Sequence, residues 1–111
     1  MAAWAYLTQN GFNLLEKNYR CPLGEIDVVA EKDGRLRFVE IKTRTGHRFG
    51  LPQEAVHPFK QRKLAQLAAW YLKARGKSGM PVSFDVLAVT WKGSEEPLFN
   101  LIENAFGLPG E

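Results

Sequence analysis

The chain has 111 residues, the size of one ordinary domain, and its 45% hydrophobic and 24% charged residues argue against disorder. No apolar run approaches the roughly 20 residues of a membrane-spanning helix, and one cysteine with two histidines excludes an internal disulfide and a Cys/His zinc site. The formal net charge of +3 favours an acidic partner, with nucleic acid the first candidate, and we expect no membrane partner.

The first third of the chain predicts a short helix followed by a strand. Ala2 to Asn10 reads as a helix that ends at Gly11, since glycine is favoured just past a helix C-terminus. Phe12 to Cys21 is predicted to be a strand, and the segment 22–24 (Pro-Leu-Gly) a turn. This N-terminus lacks the basic start and long apolar stretch of a secretory signal, so we expect a cytoplasmic protein.

A β-hairpin is the strongest local prediction. Two β-rich runs, Gly24–Lys32 and Arg35–Arg44, flank an Asp33-Gly34 pair, which is a typical two-residue hairpin turn. A loop is predicted from Thr45 to Gln53.

The remaining elements complete an α/β domain. A helix is predicted to start near Pro58, with a proline suited to its first turn, and to end at Gly76, with Phe59 and Leu64 on its apolar face. Val82–Trp91 reads as a buried strand and Leu98–Ile102 as a last strand, with a helical turn at 104–106. We therefore expect a single domain over residues 1–111, built as a mixed β-sheet flanked by helices.

The predicted hairpin collects charges on one face of the sheet. A two-residue turn places Asp27 opposite Glu40 and Glu25 opposite Lys42, and opposed residues point to the same side. Two opposed carboxylates repel each other, and a bound cation would offset that repulsion. Hard divalent ions such as Mg²⁺ prefer carboxylate and water oxygens. A cross-strand ion-pair cluster on a solvated face is the alternative.

The opposite face of the hairpin is predicted to be apolar. The same register pairs Ile26 with Ile41 and Val28 with Val39, as expected of central strands in an α/β sheet. Asp85 lies within the apolar Val82–Trp91 strand, so we expect a structural role for it, such as capping or pairing with a buried arginine.

Basic residues follow the acidic pair in the sequence and are candidates for phosphate contacts. A basic segment beside a metal site would hold a nucleic-acid backbone against it; a charged solvent face is the alternative. Lys60 is notable because a cation in the first helical turn opposes the helix dipole. The candidates are Arg44, Arg48, Lys60, Arg62 and Lys63.

Several motifs together resemble a known family. Asp27 followed by Glu40-Ile41-Lys42 is similar to the PD-(D/E)xK nuclease signature. The wider context resembles the YraN-type family of uncharacterised bacterial proteins over nearly the whole chain, and that context comprises GEIDVVA (24–30), RFVEIKTR (37–44), Pro58 with Lys60, SFDVLAV (83–89) and IENAF (102–106).

The resemblance implies a restriction-endonuclease-like fold related to Holliday junction resolvases. It implies Mg²⁺ or Mn²⁺ held by Asp27, Glu40 and the backbone carbonyl of Ile41, with Lys42 orienting water or stabilising charge during phosphodiester hydrolysis. Glu25 would pair with Lys42 without itself binding the metal. The expected partner is DNA rather than RNA, and a homodimer is compatible with resolvases that cut two strands.

The chain departs from the family pattern at its first helix. Family members usually carry a Gly-Glu pair several residues before the tyrosine and leucine that match Tyr6-Leu7, and here that position would precede Met1. Either the chain starts late relative to the family or it lacks a carboxylate that related resolvases use at the metal. The alternative function is therefore a nucleic-acid-binding module with weak or no catalysis.

Overall fold

A computed structural model describes residues 2–45, 58–93 and 96–106. The elements are, in chain order, α1 (Ala2–Gln9), β1 (Asn13–Cys21), β2 (Gly24–Lys32), β3 (Arg35–Thr45), α2 (Pro58–Ala74), β4 (Val82–Trp91) and β5 (Leu98–Phe106). The strands form one sheet in the order β1-β2-β3-β4-β5, in which only β3 and β4 are parallel. The predicted α/β fold with a mixed sheet is confirmed, and it is consistent with a restriction-endonuclease-like architecture.

Each face of the sheet packs against one helix. The chain segment between the parallel strands β3 and β4 contains α2, as a parallel connection requires. On the α2 side, Leu64 and Leu67 pack against Val29, Phe38 and other buried side chains of the strands. On the α1 side, a second cluster contains Ala3, Leu7, Phe12, Val28, Ala30, Val39, Leu87 and Val89. No helix in the described part of the chain is both long and apolar enough to span a bilayer.

The β2–β3 hairpin has the predicted turn and register. Asp33 and Gly34 both have positive φ, 53° and 75°, as a two-residue turn of the type favoured in hairpins requires. The pairs Val28–Val39 and Val29–Phe38 lie opposite each other, as expected. Because register decides which residues share a face, this result places Glu40 and Lys42 on the same side of β3 as Phe38, facing α2.

Aromatic and ionic contacts anchor α2 to the sheet. The Tyr71 ring meets Tyr19 edge-on with centroids 5.0 Å apart, and Phe38 at 5.7 Å. Arg75 makes two hydrogen bonds of 2.9 Å to the carboxylate of Glu16 on β1. The prediction that Phe59 joins the apolar face of this helix was wrong, since its side chain is 68% exposed near the helix start. With α2 anchored in this way, its first turn lies near Glu40 on β3, away from the Asp33-Gly34 turn.

The C-terminal part of the chain differs from the sequence prediction. The expected helical turn at 104–106 was wrong: β5 continues to Phe106, and the Phe106 ring stacks on Phe84 with centroids 4.7 Å apart. The register shifts between Phe84 and Val86, where Asn104 adopts a φ of 54°. The extra residues in β5 thus form a bulge rather than a helix. The backbone N–H of Asn104 in this bulge donates a hydrogen bond to a side chain of β4.

The acceptor of this hydrogen bond is Asp85, which is completely buried. Its Oδ1 accepts a hydrogen bond of 2.9 Å from the Asn104 N–H and a short one from Ser83 Oγ. Its Oδ2 accepts from Arg37 Nη1 at 3.2 Å, and Arg37 also contacts Glu103 Oε1 at 3.1 Å. The prediction that Asp85 pairs with a buried arginine is confirmed, and Asp85 belongs to the structural core.

Candidate active site

The candidate site lies where β2 and β3 part. Their ladder runs from Lys32–Arg35 to Val28–Val39 and stops one residue short of Asp27. The backbone N–H of Ile41 instead donates a 2.8 Å hydrogen bond to Asp27 Oδ2. A side-chain carboxylate has therefore taken the place of a backbone acceptor, which lets the strands diverge while the Ile41 N–H stays satisfied.

A change of side-chain direction accompanies this divergence. Val28 packs on the α1 side of the sheet, but Ile26, two residues earlier, packs in the α2-side cluster. The predicted pairing of Ile26 with Ile41 on one apolar face was therefore wrong, because Ile41 packs on the α1 side. On β1, Asn18 lies level with Asp27 and has a φ of 54°. The alternation of side chains between the two faces of the sheet therefore fails near Asp27. On the neighbouring strand, the irregular backbone at Asn18 lies beside this position, and asparagine tolerates its positive φ.

Glu40 is the centre of the charge cluster. Its side chain is only 12% exposed, and its Oε1 lies 3.4 Å from Lys42 Nζ. The same oxygen accepts a short hydrogen bond from Lys60 Nζ, which reaches it from the first turn of α2. The structure thus joins Glu40 and Lys42, as predicted, and adds Lys60, which the sequence left between a phosphate contact and a solvated lysine.

Burial and neighbouring charges shift the pKa values of three groups in this site. The pKa of Asp27 is raised, first by burial and then by the charges of Glu40 and Glu25, against the opposing hydrogen bond from Ile41. The pKa of Lys42 is lowered by its contact with Lys60 and by burial. Burial would lower the pKa of Lys60, but the Glu40 carboxylate outweighs it and the net shift is upward. Burial is the largest cause of the raised Asp27 pKa, and the negative charges of Glu40 and Glu25 act in the same direction.

The Asp27→Asn variant is expected to be more stable than the wild type without metal. A raised folded-state pKa means that ionised Asp27 opposes folding; the penalty is absent below its ordinary value of 3.8 and grows as the pH rises towards the folded-state pKa. At neutral pH the gain should be about 0.5 to 1 kcal/mol, because the neutral amide removes the cost of burying a charge and the repulsion from Glu40 and Glu25. Urea denaturation in EDTA at neutral and acidic pH measures it. A less stable variant at neutral pH would contradict this assignment.

Glu25 has a different partner from the predicted one. Its carboxylate pairs with Arg20 Nε at 3.1 Å, across the β1–β2 ladder, and is exposed. The predicted pairing of Glu25 with Lys42 was therefore wrong, since Lys42 contacts Glu40. The signal for Arg20 was present in the sequence, because the turn at Pro22-Leu23 places Arg20 opposite Glu25. Glu25 still acts on the site through its charge, which raises the pKa of Asp27.

The predicted basic residues divide by position. Arg44 is partly buried and, two residues beyond Lys42 on β3, continues the face that carries Glu40. Lys63 is one helical turn after Lys60, and its side chain passes close to Gly24 at the start of β2. Arg62 is exposed and, two positions from Lys60, projects from another side of α2. Arg48 lies outside the described residues. Lys60, Lys63 and Arg44 thus lie on the elements that surround the acidic pair.

The available donors suit a hard cation with few protein ligands. The Ile41 hydrogen bond uses Asp27 Oδ2, and the two lysines share Glu40 Oε1, so Asp27 Oδ1 and Glu40 Oε2 are the oxygens suited to ligation. A strand residue directs its N–H and C=O to the same side, so the Ile41 carbonyl also faces the Asp27 side. Residues 2–45, 58–93 and 96–106 contain no group of three or more His, Cys, Asp or Glu placed for a metal. Two carboxylates fit Mg²⁺, which is often held by one or two carboxylates plus phosphate and water.

Comparison with known proteins identifies the family. The model of the uncharacterised protein family UPF0102 matches residues 1–89. A UPF0102 protein of Moorella thermoacetica is 46% identical over 107 residues, covering 95% of this chain and 88% of the relative. Those of Syntrophus aciditrophicus and Geobacter sulfurreducens are 43% and 41% identical, covering 97% and 96% of this chain and 84% and 83% of the relatives. The chain therefore belongs to the UPF0102 (YraN-type) family.

Proposed function

We propose that this protein is a metal-dependent nuclease that hydrolyses phosphodiester bonds of nucleic acid, DNA in the first instance. The proposal rests on a charge cluster where β2 and β3 diverge: Asp27 Oδ2 accepts a hydrogen bond from the Ile41 N–H, and the adjacent residue Glu40 lies 3.4 Å from Lys42. A partly buried pair of repelling carboxylates beside a lysine is costly to the fold without a ligand, and a divalent cation offsets that cost.

Each residue of the site has a distinct role in this proposal. Asp27 and Glu40 would hold Mg²⁺ or Mn²⁺ together with the Ile41 carbonyl, and the bound ion supplies Lewis-acid activation of water and phosphate. The Ile41 N–H fixes the orientation of Asp27 through its 2.8 Å hydrogen bond. Lys42 places a positive charge beside Glu40, where it would stabilise the negative charge that develops on the phosphate.

The basic residues around the acidic pair support a nucleic-acid substrate. Lys60 and Lys63 project from the first two turns of α2, and Arg44 continues the Lys42 face of β3. The net charge of +3 has the same sign. Positive side chains next to a metal pair hold a phosphate backbone against it without reading sequence.

Metal binding and cleavage together test this function. The wild type should cut branched or linear DNA with Mn²⁺ and not with EDTA, and its DNA affinity should fall as salt rises. Calorimetry should show Mn²⁺ binding that is about 10- to 100-fold weaker in Asp27→Asn, a loss at least as large as that from altering a metal-supporting residue. Lys73→Met, at the exposed far end of α2, is the matched control.

Two results would contradict the proposal. Cleavage that persists unchanged in Asp27→Asn would belong to a contaminating enzyme. DNA binding without cleavage under Mg²⁺ and Mn²⁺ would instead support a nucleic-acid-binding module that lacks catalysis.

A further inference from the structure

Lys60 lies where its own helix disfavours a positive charge. It lies in the first turn of α2, a turn that contains no acidic residue, and there the helix dipole repels positive charge. Its partner lies on another element, since Lys60 Nζ reaches Glu40 on β3. The contact with Glu40 is therefore what draws the Lys60 ammonium towards the sheet.

The single negative charge of Glu40 has two ammonium groups beside it. One oxygen, Oε1, accepts a hydrogen bond from Lys60 and lies 3.4 Å from the Lys42 ammonium nitrogen. The Lys42 side chain is 28% exposed on the interior strand β3, whereas the Lys60 side chain is 37% exposed at the start of α2, from where its long stem can turn towards solvent. A divalent ion on Glu40 would add two further charges beside these ammonium groups. The least constrained cation would be the one to leave.

We propose that Lys60 is an internal counter-ion that occupies Glu40 in the metal-free protein and is displaced by the divalent metal, after which it binds a phosphate of the nucleic acid. This inference rests on the proposed metal-dependent function and adds to it a coupling between metal and substrate. The metal makes the Lys60 ammonium available, so metal and phosphate backbone strengthen each other's binding; linkage requires the effect to be reciprocal.

Two opposing changes in one variant distinguish this role from a structural ion pair. Lys60→Met should bind Mn²⁺ about 3- to 10-fold more tightly at low ionic strength, as expected for removal of a competing, partly exposed ion pair. The same variant should show a smaller increase in DNA affinity with Ca²⁺ than the wild type, because the share that released Lys60 contributes is gone. Calorimetry with Mn²⁺ alone measures the first effect. Fluorescence anisotropy of a labelled DNA duplex, with and without Ca²⁺, measures the second.

Matched variants control for charge and folding. Lys73→Met removes the same charge from the same helix about 20 Å further along its axis, and should change both measurements much less than Lys60→Met does. Lys60→Gln keeps a hydrogen-bond donor to Glu40 without the charge. Lys60→Gln should change Mn²⁺ binding and the Ca²⁺ effect on DNA affinity in the same directions as Lys60→Met, but by less. Thermal melts test whether all variants are folded.

The outcomes separate this inference from the proposed function. If Mn²⁺ binds the wild type and Lys60→Met equally well, Lys60 is a structural anchor and the inference is overturned, while the metal site stands. If Lys60→Met binds Mn²⁺ more tightly yet keeps the full Ca²⁺ effect on DNA, its charge merely opposes the metal and the coupling is overturned. If Mn²⁺ binds neither protein, the metal site and this inference fail together.

Discussion

Replacing Lys42 with methionine is expected to slow Mn²⁺-dependent cleavage about 100- to 1000-fold, the loss typical of removing one donor that stabilises transition-state charge. The side chain lies 3.4 Å from Glu40 on the interior strand β3, so it is held beside the carboxylates. Methionine keeps much of the length and apolar stem but has no charge. The effect should therefore fall on the chemical step rather than on folding.

Metal binding distinguishes Lys42 from the carboxylates. Lys42→Met should bind Mn²⁺ no more weakly than the wild type, because a nearby positive charge opposes the metal. Glu40→Gln should lose both Mn²⁺ binding and cleavage. Single-turnover cleavage and calorimetry on the same preparations give the comparison. A Lys42→Met variant that cleaves within about threefold of the wild type would remove Lys42 from the catalytic group.

Replacing Asp85 with alanine is expected to lower the free energy of unfolding by about 3 to 5 kcal/mol, because it removes the fully buried partner of a buried arginine whose other carboxylate contact, Glu103, is 40% exposed. The Arg37 side chain is 8% exposed and the Asp85 side chain 0%. The loss also removes the acceptor for the Asn104 N–H at the β5 bulge, where 2.9 Å separates the two atoms. For a domain of about this size, the melting temperature should fall by more than about 10 °C.

Milder and compensated variants keep this stability prediction measurable. Ser83→Ala removes one hydrogen bond to Asp85 and should cost about 1 kcal/mol. A double Arg37→Met, Asp85→Leu variant should lose less than the two single changes together, since no unpaired charge remains. Urea denaturation of Ser83→Ala, the double variant and its two single variants measures these differences. Asp85 faces away from Glu40, so Asp85→Asn should cleave at the wild-type rate below its melting temperature; a loss of cleavage with stability intact would contradict a structural role.

Local patterns predicted the elements well and failed where distant contacts decided. Asp33-Gly34 predicted the hairpin because a two-residue turn with positive φ is a local requirement. The segment 104–106 was predicted as helical, but the N–H of Asn104 is bound by Asp85, which is 19 positions away in the chain. Phe59 matched helical periodicity, yet it precedes the part of α2 that meets the sheet, so its ring is exposed.

The sequence predicted most of the residues of the candidate site, but not which of them contact each other. Residue types and register placed Glu40 and Lys42 on one face, because alternation along a strand is a geometric rule. The register alone would have set Asp27 squarely opposite Glu40, whereas the strands part there and Asp27 binds the Ile41 N–H. The Glu25–Lys42 pair failed for a related reason: Arg20, on the other side of β2, competes for Glu25.

What the amino acids specify locally is the hairpin, the helices and the presence of two carboxylates and a lysine close together in a basic chain. Turn chemistry and side-chain periodicity act over a few residues, so a reader of the sequence can apply them. Only the folded chain decides which charges meet. The packing of α2 on the sheet brings Lys60 to Glu40, 20 positions earlier, and the parting of β2 from β3 turns Asp27 towards Ile41. Such contacts depend on how whole elements dock, and docking is settled by the two hydrophobic clusters together rather than by any one segment.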